Sequence, residues 1–417
     1  MHHPMEEEAD EERTAARRDA RAGGAADGKP YPLGDLRVLD LSRFVAGPFV
    51  GRLLCDLGAD VVKVEPPSGD VTRLFGVVRH GLSGLYFQQN AGKRNVCIDI
   101  KQPGGVELVR TLAAGADVVV ENFRPGVLAG LGLGYETLAA SNPRLVMLSI
   151  SGFGQQGPEA GRQAYAPIIH AESGWVARRR EILGAPLEDS VVSFADSIAG
   201  LHGLVGLLSA LHLRNRTGRG QHVDVSMLDA WLATDDYVHY LLDGAERLVY
   251  QGGEVWEAPG GPLMLNRPQP QVWKILQEAY GLSAEAPAGA DREARRRARR
   301  EAILRWMRSF DSRDGLKRAL EKVDLVWGEV RTSQTVLESP TVAARGIVAL
   351  VADGADGQRR VVQSPYRFSE AASGARGAAP RLGQHNAAVF EEWAGLSAAE
   401  IASLVERKVL RAEEERE

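Results

Sequence analysis

Short apolar runs alternate along the chain with segments whose apolar positions recur at helical spacing, and this alternation begins near Leu33. The first cycle contains, in order, the stretches "LRVLDL", "SRFVAGP", "FVGRLLCDLGA" and "DVVKVE". A short apolar run is typical of a buried strand, whereas a longer periodic segment is typical of an amphipathic helix. The pattern predicts a strand, a loop, a helix and a second strand, which together form a βαβ unit.

This pattern recurs twice, each time as a helical segment that leads into an apolar strand, in "GGVELVRTLAAGADVVVENF" and "YETLAASNPRLVMLSISGFG". Repeated βαβ units place their strands in one parallel sheet covered by helices, and ligand loops gather at the carboxyl ends of the strands. We therefore expect an α/β protein with a large Rossmann-like domain.

The composition changes after this region. Residues 244–272 are rich in Gly, Pro and Trp, and the segment "LSAEAPAGADREARRRARREAILRWM" then passes from a linker into an Arg-rich helix. A run of arginines is most simply a solvated helix face, and an anion site is the alternative. We predict a disordered charged tail over 1–32, a large domain over 33–239 and 343–410, a small α+β domain over 240–342, and a charged tail over 411–417.

Composition narrows the function classes. The chain has 417 residues, of which 44% are apolar, and its 50 basic and 55 acidic residues give a net charge of -5. This balance favours neither nucleic acid nor an anionic membrane as a partner. Two cysteines, Cys55 and Cys97, are too few for a disulfide framework or a multi-cysteine zinc site, so we expect a cytoplasmic protein without a metal. We also expect no secretory signal and no membrane span.

Two local features suggest chemistry. The loop "LDLSRFVAGPFVG" lies where a dinucleotide fingerprint would lie, but Gly47 and Gly51 do not make G-x-G-x-x-G, which argues against an NAD site. The stretch "SFADSIAG" places Asp196 at the start of an apolar helix, "SIAGLHGLVGLLSALHLRNR", which we expect to be buried. By local physics Asp196 is a helix N-cap, because Asp is among the residues preferred there.

Longer stretches resemble one protein family. The segments "LRVLDLSRFVAGPFVGRLLCDLGADVVKVEPPSGD", "NAGKRNVCIDIKQPGGVELVRTLAAGADVVVENFRPGVLAGLGLGYETLAASNPRLVMLSISGFGQQGP" and "LHLRNRTGRGQHVDVSMLDA" are similar to the family III CoA-transferases, also called the CaiB/BaiF family. The similarity covers most of residues 33–235 and resumes near the carboxyl terminus. It implies the family fold, an interlocked homodimer, and an acyl-CoA and a carboxylic acid as substrates.

The resemblance also assigns roles to residues. Asp196 matches the aspartate that carries the acyl group in the family, and a carboxylate at a helix N-terminus is expected to be kept ionised. Such exchange between thioester and anhydride needs neither ATP nor a metal. The family's CoA-binding positions correspond to Val45, Ala46, Ile98, Lys101, Asn122, Phe123 and Tyr165. Of these, Ala46 and Ile98 are expected by the adenine, Lys101 near the nucleotide phosphates, and Asn122 and Phe123 along the pantetheine arm.

Some positions depart from the family pattern. Val45 replaces a glutamine, Pro66 replaces an arginine, and Ala166 replaces an acidic residue, which His170 or Glu172 would have to compensate. Two other functions therefore remain open: a racemase or isomerase of acyl-CoA, which lacks its histidine because Tyr165 stands there, and a non-catalytic CoA-binding subunit of a heteromer. The weak match to the family's glycine-rich lid is "APGGPLM", with Gly260 and Gly261.

Overall fold

The computed structural model of the protein describes residues 28–244, 252–353 and 357–412. The tail predicted to be disordered lies mostly outside these ranges. The strands are β1 (Arg37–Asp40), β2 (Asp60–Glu65), β3 (Val78–Arg79), β4 (Leu82–Ser83), β5 (Arg94–Cys97), β6 (Val118–Glu121), β7 (Val146–Ser151), β8 (Gln221–Ser226), β9 (Glu254–Ala258), β10 (Gly261–Leu265), β11 (Trp327–Glu329), β12 (Val348–Ala352) and β13 (Gln358–Val362).

The helices are α1 (Ala46–Asp56), α2 (Gly84–Asn90), α3 (Gly105–Ala114), α4 (Val127–Gly130), α5 (Tyr135–Ser141), α6 (Ala166–Glu172), α7 (Trp175–Leu183), α8 (Phe194–Thr217), α9 (Met227–Thr234), α10 (Val238–Leu242), α11 (Gln269–Tyr280), α12 (Arg292–Arg308), α13 (Arg313–Glu321), α14 (Pro340–Arg345), α15 (Asn386–Ala394) and α16 (Ala398–Glu406). Short 3-10 turns cover Val71–Leu74 and Thr335–Glu338. The described chain divides into two compact units, of which the second comprises Glu181–Gly184 and Tyr240–Ala344.

The first unit is built on one six-stranded sheet with the order β5-β2-β1-β6-β7-β8. Every neighbouring pair in it is parallel, which confirms the α/β class. Each face of this sheet has its own apolar core. Val38 of β1 packs in the core on one face, and the next residue, Leu39, packs in the core on the other. The strand order reverses between β1 and β6, and the carboxyl ends of the strands at such a switch point form a crevice for ligands.

The carboxyl-terminal segment completes this unit. Helices α15 and α16 cover the second face of the sheet, where Phe390 and Leu404 join the core that contains β5. Backbone pairing of Ile98 with Leu410 extends the contact, and the N–H of Cys97 donates to Asn386 Oδ1 over 3.0 Å. The sheet is therefore closed by residues from both ends of the chain.

The second unit contains an antiparallel sheet of order β11-β10-β9 with helices α11 to α13 around its own apolar core. Its Arg-rich helix α12 is not only a solvated face. Arg300 pairs with Glu254 over 3.1 Å and lies 4.4 Å from the ring centroid of Trp256. Gly260 and Gly261 form the turn between β9 and β10, where positive φ angles of 81° and 117° favour glycine.

Helix α8 corrects two expectations. Among the described residues it is the helix long and apolar enough, by length and composition, to cross a membrane, whereas no such segment was expected. One face of it packs into the core of the sheet through Ala199, Gly203 and Leu207, as the central helix of a folded domain does. The other face is not buried, because Leu201 and Val205 are 45% and 64% exposed.

Candidate active site

A cavity of about 420 Å³ lies at the carboxyl ends of β1, β6 and β7. We call it the Asp196 cavity. The loops that follow these strands and the first turn of α8 supply its walls, which include Arg43, Ala46, Asn122, Phe123, Tyr165 and Asp196. The structure thus brings together five of the eight residues that the sequence assigned to the site: Ala46, Asn122, Phe123, Tyr165 and Asp196.

Asp196 is not the N-cap of its helix. Ser193 occupies that position, and Asp196 is the third residue of α8, with its carboxylate half-buried at the cavity wall. Burial raises the pKa of Asp196 to about 6, and the N–H of Ala46, which donates to the carboxylate, lowers it only in part. The helix end therefore does not lower the pKa of Asp196 below that of an ordinary aspartate, although a pKa of about 6 leaves the carboxylate mostly ionised at neutral pH.

His170 orders the start of α8 from behind. Its Nε2 accepts the N–H of Ala195 over 3.2 Å, and its Nδ1 lies 2.7 Å from Asp189 Oδ1. The ring is buried against Trp231, with centroids 5.1 Å apart. With Nε2 occupied as an acceptor, His170 faces the helix backbone, so it does not replace the acid that Ala166 lacks.

Two further residues near the predicted site have other partners. Glu172 pairs with Arg162 over 2.5 Å on the exposed side of α6. Ala166 is buried at the start of the same helix, where its methyl group packs in the core. Tyr165 is 44% exposed, lines the cavity, and meets Phe44 edge-on at 5.4 Å.

The loop that presents Ala46 is held from several sides. Phe44 has a φ of 64°, a left-handed conformation that is uncommon for an aromatic residue, and its N–H donates to Asp70 Oδ2 over 3.3 Å. Lys63 Nζ donates to the carbonyl of Ser42 over 2.8 Å. At Gly47 an added Cβ would lie 2.2 Å from Ser42 Cβ, so the loop and α1 pack this closely only with glycine there.

Asn122 closes the same loop from the β6 side. Its Oδ1 accepts the N–H of Arg43 and its Nδ2 donates to the carbonyl of Arg43, both over 2.7 Å. The side-chain amide therefore binds backbone on both of its edges. Asn122 lines the cavity, as the resemblance implies, but its hydrogen bonds are directed to the loop.

A second cavity of about 200 Å³, the Ile98 cavity, lies beside the first. Its walls are mostly aliphatic and include Leu41, Val64, Ile98, Ile100, Leu128 and Leu133. Arg43 and Phe123 line both cavities and so stand at their border. A slot with aliphatic walls beside a polar cavity suits a flat apolar ring attached to a longer polar chain.

Two predicted binding residues lie apart from these walls. Val45 is the N-cap of α1, and Lys101 is an exposed residue of the turn after Ile100; the residues that line the two cavities in the described chain include neither. Sequence reasoning missed Arg43, Phe44 and Asp70. Only the position of Arg43, just after a strand that ends at the switch point, could have indicated it.

The described residues contain no group of three His, Cys, Asp or Glu side chains placed to hold a metal ion together. Cys55 and Cys97 are both buried and free. Burial and the charge of Asp56 raise the pKa of the Cys55 thiol to about 11, so it is not a thiolate near neutral pH.

Comparison with known proteins supplies the family. Residues 33–386 match the model of CoA-transferase family III. The chain is 34% identical to succinyl-CoA--D-citramalate CoA-transferase of Chloroflexus aurantiacus, over 91% of this chain and 98% of that protein. It is 32% identical to the alpha subunit of succinyl-CoA--L-malate CoA-transferase from the same species, over 91% and 92%.

A solved structure agrees. A CaiB/BaiF family protein from Brucella suis superimposes with a TM-score of 0.72 at 33% identity, covering 87% of this chain and 99% of that one. The fold, the family model over most of the chain and the curated relatives all point the same way. The protein belongs to CoA-transferase family III.

Proposed function

We propose that this enzyme moves CoA from an acyl-CoA to a carboxylic acid with Asp196 as the covalent carrier. The observation that supports this role most directly is the position of the carboxylate, which lies at the cavity wall with its pKa raised to about 6. Such a carboxylate is ionised at neutral pH and is more basic than an ordinary aspartate, so it is a better nucleophile.

The exchange proceeds through bonds of similar reactivity. Asp196 attacks the thioester carbonyl, the C–S bond breaks, and a mixed anhydride and the CoA thiolate result. The thiolate attacks the Asp196 carbonyl of the anhydride and releases the donor acid as a carboxylate. The acceptor carboxylate then displaces the thiolate from Asp196 to give a second anhydride. Attack of the thiolate on the acceptor acyl carbonyl forms the new thioester and restores Asp196.

Ala46 contributes through its backbone. Its N–H is the first of helix α1 and has no partner within that helix, and it already donates to the Asp196 carboxylate. When the Asp196 carbonyl is attacked, negative charge develops on its oxygen beside this N–H and the amino end of α1. Both stabilise that charge without reorganisation.

The two cavities divide the CoA molecule between them. We place the adenine in the aliphatic Ile98 cavity and the pantetheine arm past Phe123, with the thioester at Asp196. Val45 supports this arrangement through the backbone of α1, Tyr165 contributes its exposed ring to the cavity wall, and Lys101 lies next to Ile100, at the outer edge of the adenine position.

The acids exchanged are proposed to be dicarboxylic. The two curated relatives are named for succinyl-CoA together with citramalate or malate. In this chain the cavity wall includes Arg124 and Arg162, and the exposed Arg124 makes no ion pair that the described residues show. A guanidinium at that position can bind the second carboxylate of such an acid.

The racemase alternative is less well supported. It needs a second acid or base opposite the aspartate. The walls of the Asp196 cavity carry no histidine within the described chain, and His170 faces the backbone of α8 instead.

We propose a homodimer as the assembly. Leu201 and Val205 of α8 are 45% and 64% exposed and lie one helical turn apart on the same face of the helix. Apolar rows of this kind mark protein interfaces. Light scattering of the purified chain should give twice the 45.1 kDa of one chain. A monomer that is active only after addition of a paralogous chain would instead support the heteromeric arrangement, in which one relative is named an alpha subunit.

The covalent intermediate can be trapped directly. Incubation with succinyl-CoA and hydroxylamine should convert Asp196 to its hydroxamate, because hydroxylamine attacks both the anhydride and the aspartyl thioester. Peptide mass spectrometry identifies the modified residue, and free CoA in place of the thioester serves as the control. Turnover that proceeds without any modification of the Asp196 peptide would contradict the proposal.

A further inference from the structure

Arg43 stands where the two cavities meet. It lines the Asp196 cavity together with Phe123, and the same two residues line the Ile98 cavity. In CoA the diphosphate connects the adenosine to the pantetheine arm. A group at the border of an adenine cavity and a thioester cavity is therefore placed opposite that diphosphate.

The guanidinium of Arg43 has hydrogen-bonding capacity that the described residues leave unsatisfied. Its Nε is enclosed by protein and has no hydrogen-bond partner, and no carboxylate of the described residues forms an ion pair with it. Glu65, the one acid on the wall of the Ile98 cavity, is already bonded to Arg73, Tyr86 and Asn95. An enclosed N–H without a partner is destabilising, and a bound anion would supply the missing acceptor.

The backbone of Arg43 is fixed before any ligand arrives. Asn122 binds its N–H and its carbonyl, each over 2.7 Å, and the N–H of the next residue, Phe44, donates to Asp70. The guanidinium carbon also lies 5.6 Å from the centroid of the Phe44 ring. The backbone that carries the side chain is therefore already fixed, and little conformational entropy is lost when the side chain binds an anion.

We propose that Arg43 binds the diphosphate of CoA and that Asn122 is the positioning residue that holds it there. A guanidinium offers paired N–H donors that match phosphate oxygens. The assignment depends on the proposed placement of CoA across the two cavities, but it does not depend on the covalent role of Asp196.

The test separates phosphate binding from general damage to the cavity. Dissociation constants are measured for CoA, 3′-dephospho-CoA and pantetheine with the wild type and with Arg43→Met, which retains an apolar side chain of similar reach. We expect affinity for CoA and for 3′-dephospho-CoA to fall by the same factor, on the order of 10- to 100-fold. Affinity for pantetheine, which lacks phosphate, should not change, and Arg43→Lys should restore part of the loss.

Arg144→Met is the matched control, because Arg144 is an exposed arginine just before β7, at the amino ends of the strands. It should bind all three compounds as the wild type does. Equal weakening of all three compounds by Arg43→Met, a loss for CoA that 3′-dephospho-CoA does not share, or no loss at all would each overturn the proposal. The hydroxamate at Asp196 still forms at saturating thioester if only the Arg43 assignment fails.

Asn122 is tested in the same assay. Asn122→Ala should weaken binding of CoA and 3′-dephospho-CoA but not of pantetheine, and should cost much less when Arg43 is already Met. Such non-additivity is expected when one residue acts through another. An effect of Asn122→Ala that is equal in both backgrounds would show that it does not act through Arg43.

Discussion

Replacing Asp196 by Asn is expected to lower CoA transfer by on the order of 10⁴-fold or more, because the variant has no nucleophile to form the anhydride. The amide retains an oxygen that can accept the N–H of Ala46, so the loop and the start of α8 should stay in place. Initial rates with succinyl-CoA and a dicarboxylic acid measure the loss, and the affinity for free CoA should remain near that of the wild type.

The same variant is expected to be more stable than the wild type at pH 8. The pKa of Asp196 rises from 3.8 in the unfolded chain to about 6 in the fold, so the folded state retains a proton that the unfolded chain has lost. The wild type therefore loses stability as pH rises from about 4 to 6, and above that range the cost is constant, about 1–3 kcal/mol. Asparagine removes this cost.

Thermal unfolding at several pH values checks the sign. The midpoint of Asp196→Asn should exceed that of the wild type at pH 8, and the difference should shrink as pH falls below 6. Glu188→Gln is the matched control, since Glu188 is exposed on the segment before α8 and should change neither activity nor stability appreciably. Residual transfer by Asp196→Asn within tenfold of the wild type would rule out the covalent role.

Replacing Lys93 by Met is expected to destabilise the first unit by about 3–5 kcal/mol. Lys93 Nζ lies 2.8 Å from Asp40 Oδ2, and both side chains are fully buried under the loop that presents Ala46. Burial lowers the pKa of Lys93 to about 8, although Asp40 opposes the shift. Without Lys93 the carboxylate of Asp40 loses its closest cation in the core, and Lys63 alone cannot compensate for it.

Hydrogen exchange of the β1 and β2 amides reports this loss locally, which suits a chain with two units. The double variant Asp40→Asn with Lys93→Met should recover most of the stability, because no unpaired charge is left buried. The surface pair of Lys274 and Glu278, 3.9 Å apart, gives the control, and Lys274→Met should cost less than about 1 kcal/mol. Equal costs at the two lysines would contradict the prediction.

Much of the fold follows from sequence periodicity. The apolar runs that became β2, β6 and β7 and the helices between them were identifiable because a parallel sheet buries both faces of each strand. Helix α8 was expected to be buried on all sides because its apolar residues cover its whole circumference, but the sheet buries only one side of it.

The site was predictable only in part. Asp196, Ala46 and Phe123 could be named through the family resemblance, and the structure places them around one cavity. The hydrogen bonds between Asn122 and the backbone of Arg43 could not be predicted. Asn122 lies 79 residues away along the chain, and the contact exists only after the sheet forms. Lys101 lines neither cavity and its contact with the phosphates stays a prediction, because its position in the chain fixes the turn but not the direction of an exposed side chain.

Because the carboxyl-terminal segment covers one face of the sheet, the first unit cannot be completed until that segment has been translated. The β5 backbone N–H groups of Asn95 and Cys97 donate to the side chains of His385 and Asn386, which lie 290 and 289 residues further along the chain. The backbone partner of Ile98 is Leu410, which is translated after both of these residues. The nascent chain therefore carries an uncovered sheet face until α15 and α16 have been translated. Until then the apolar face beside β5 is exposed to solvent, and exposed apolar faces and strand edges favour aggregation during folding.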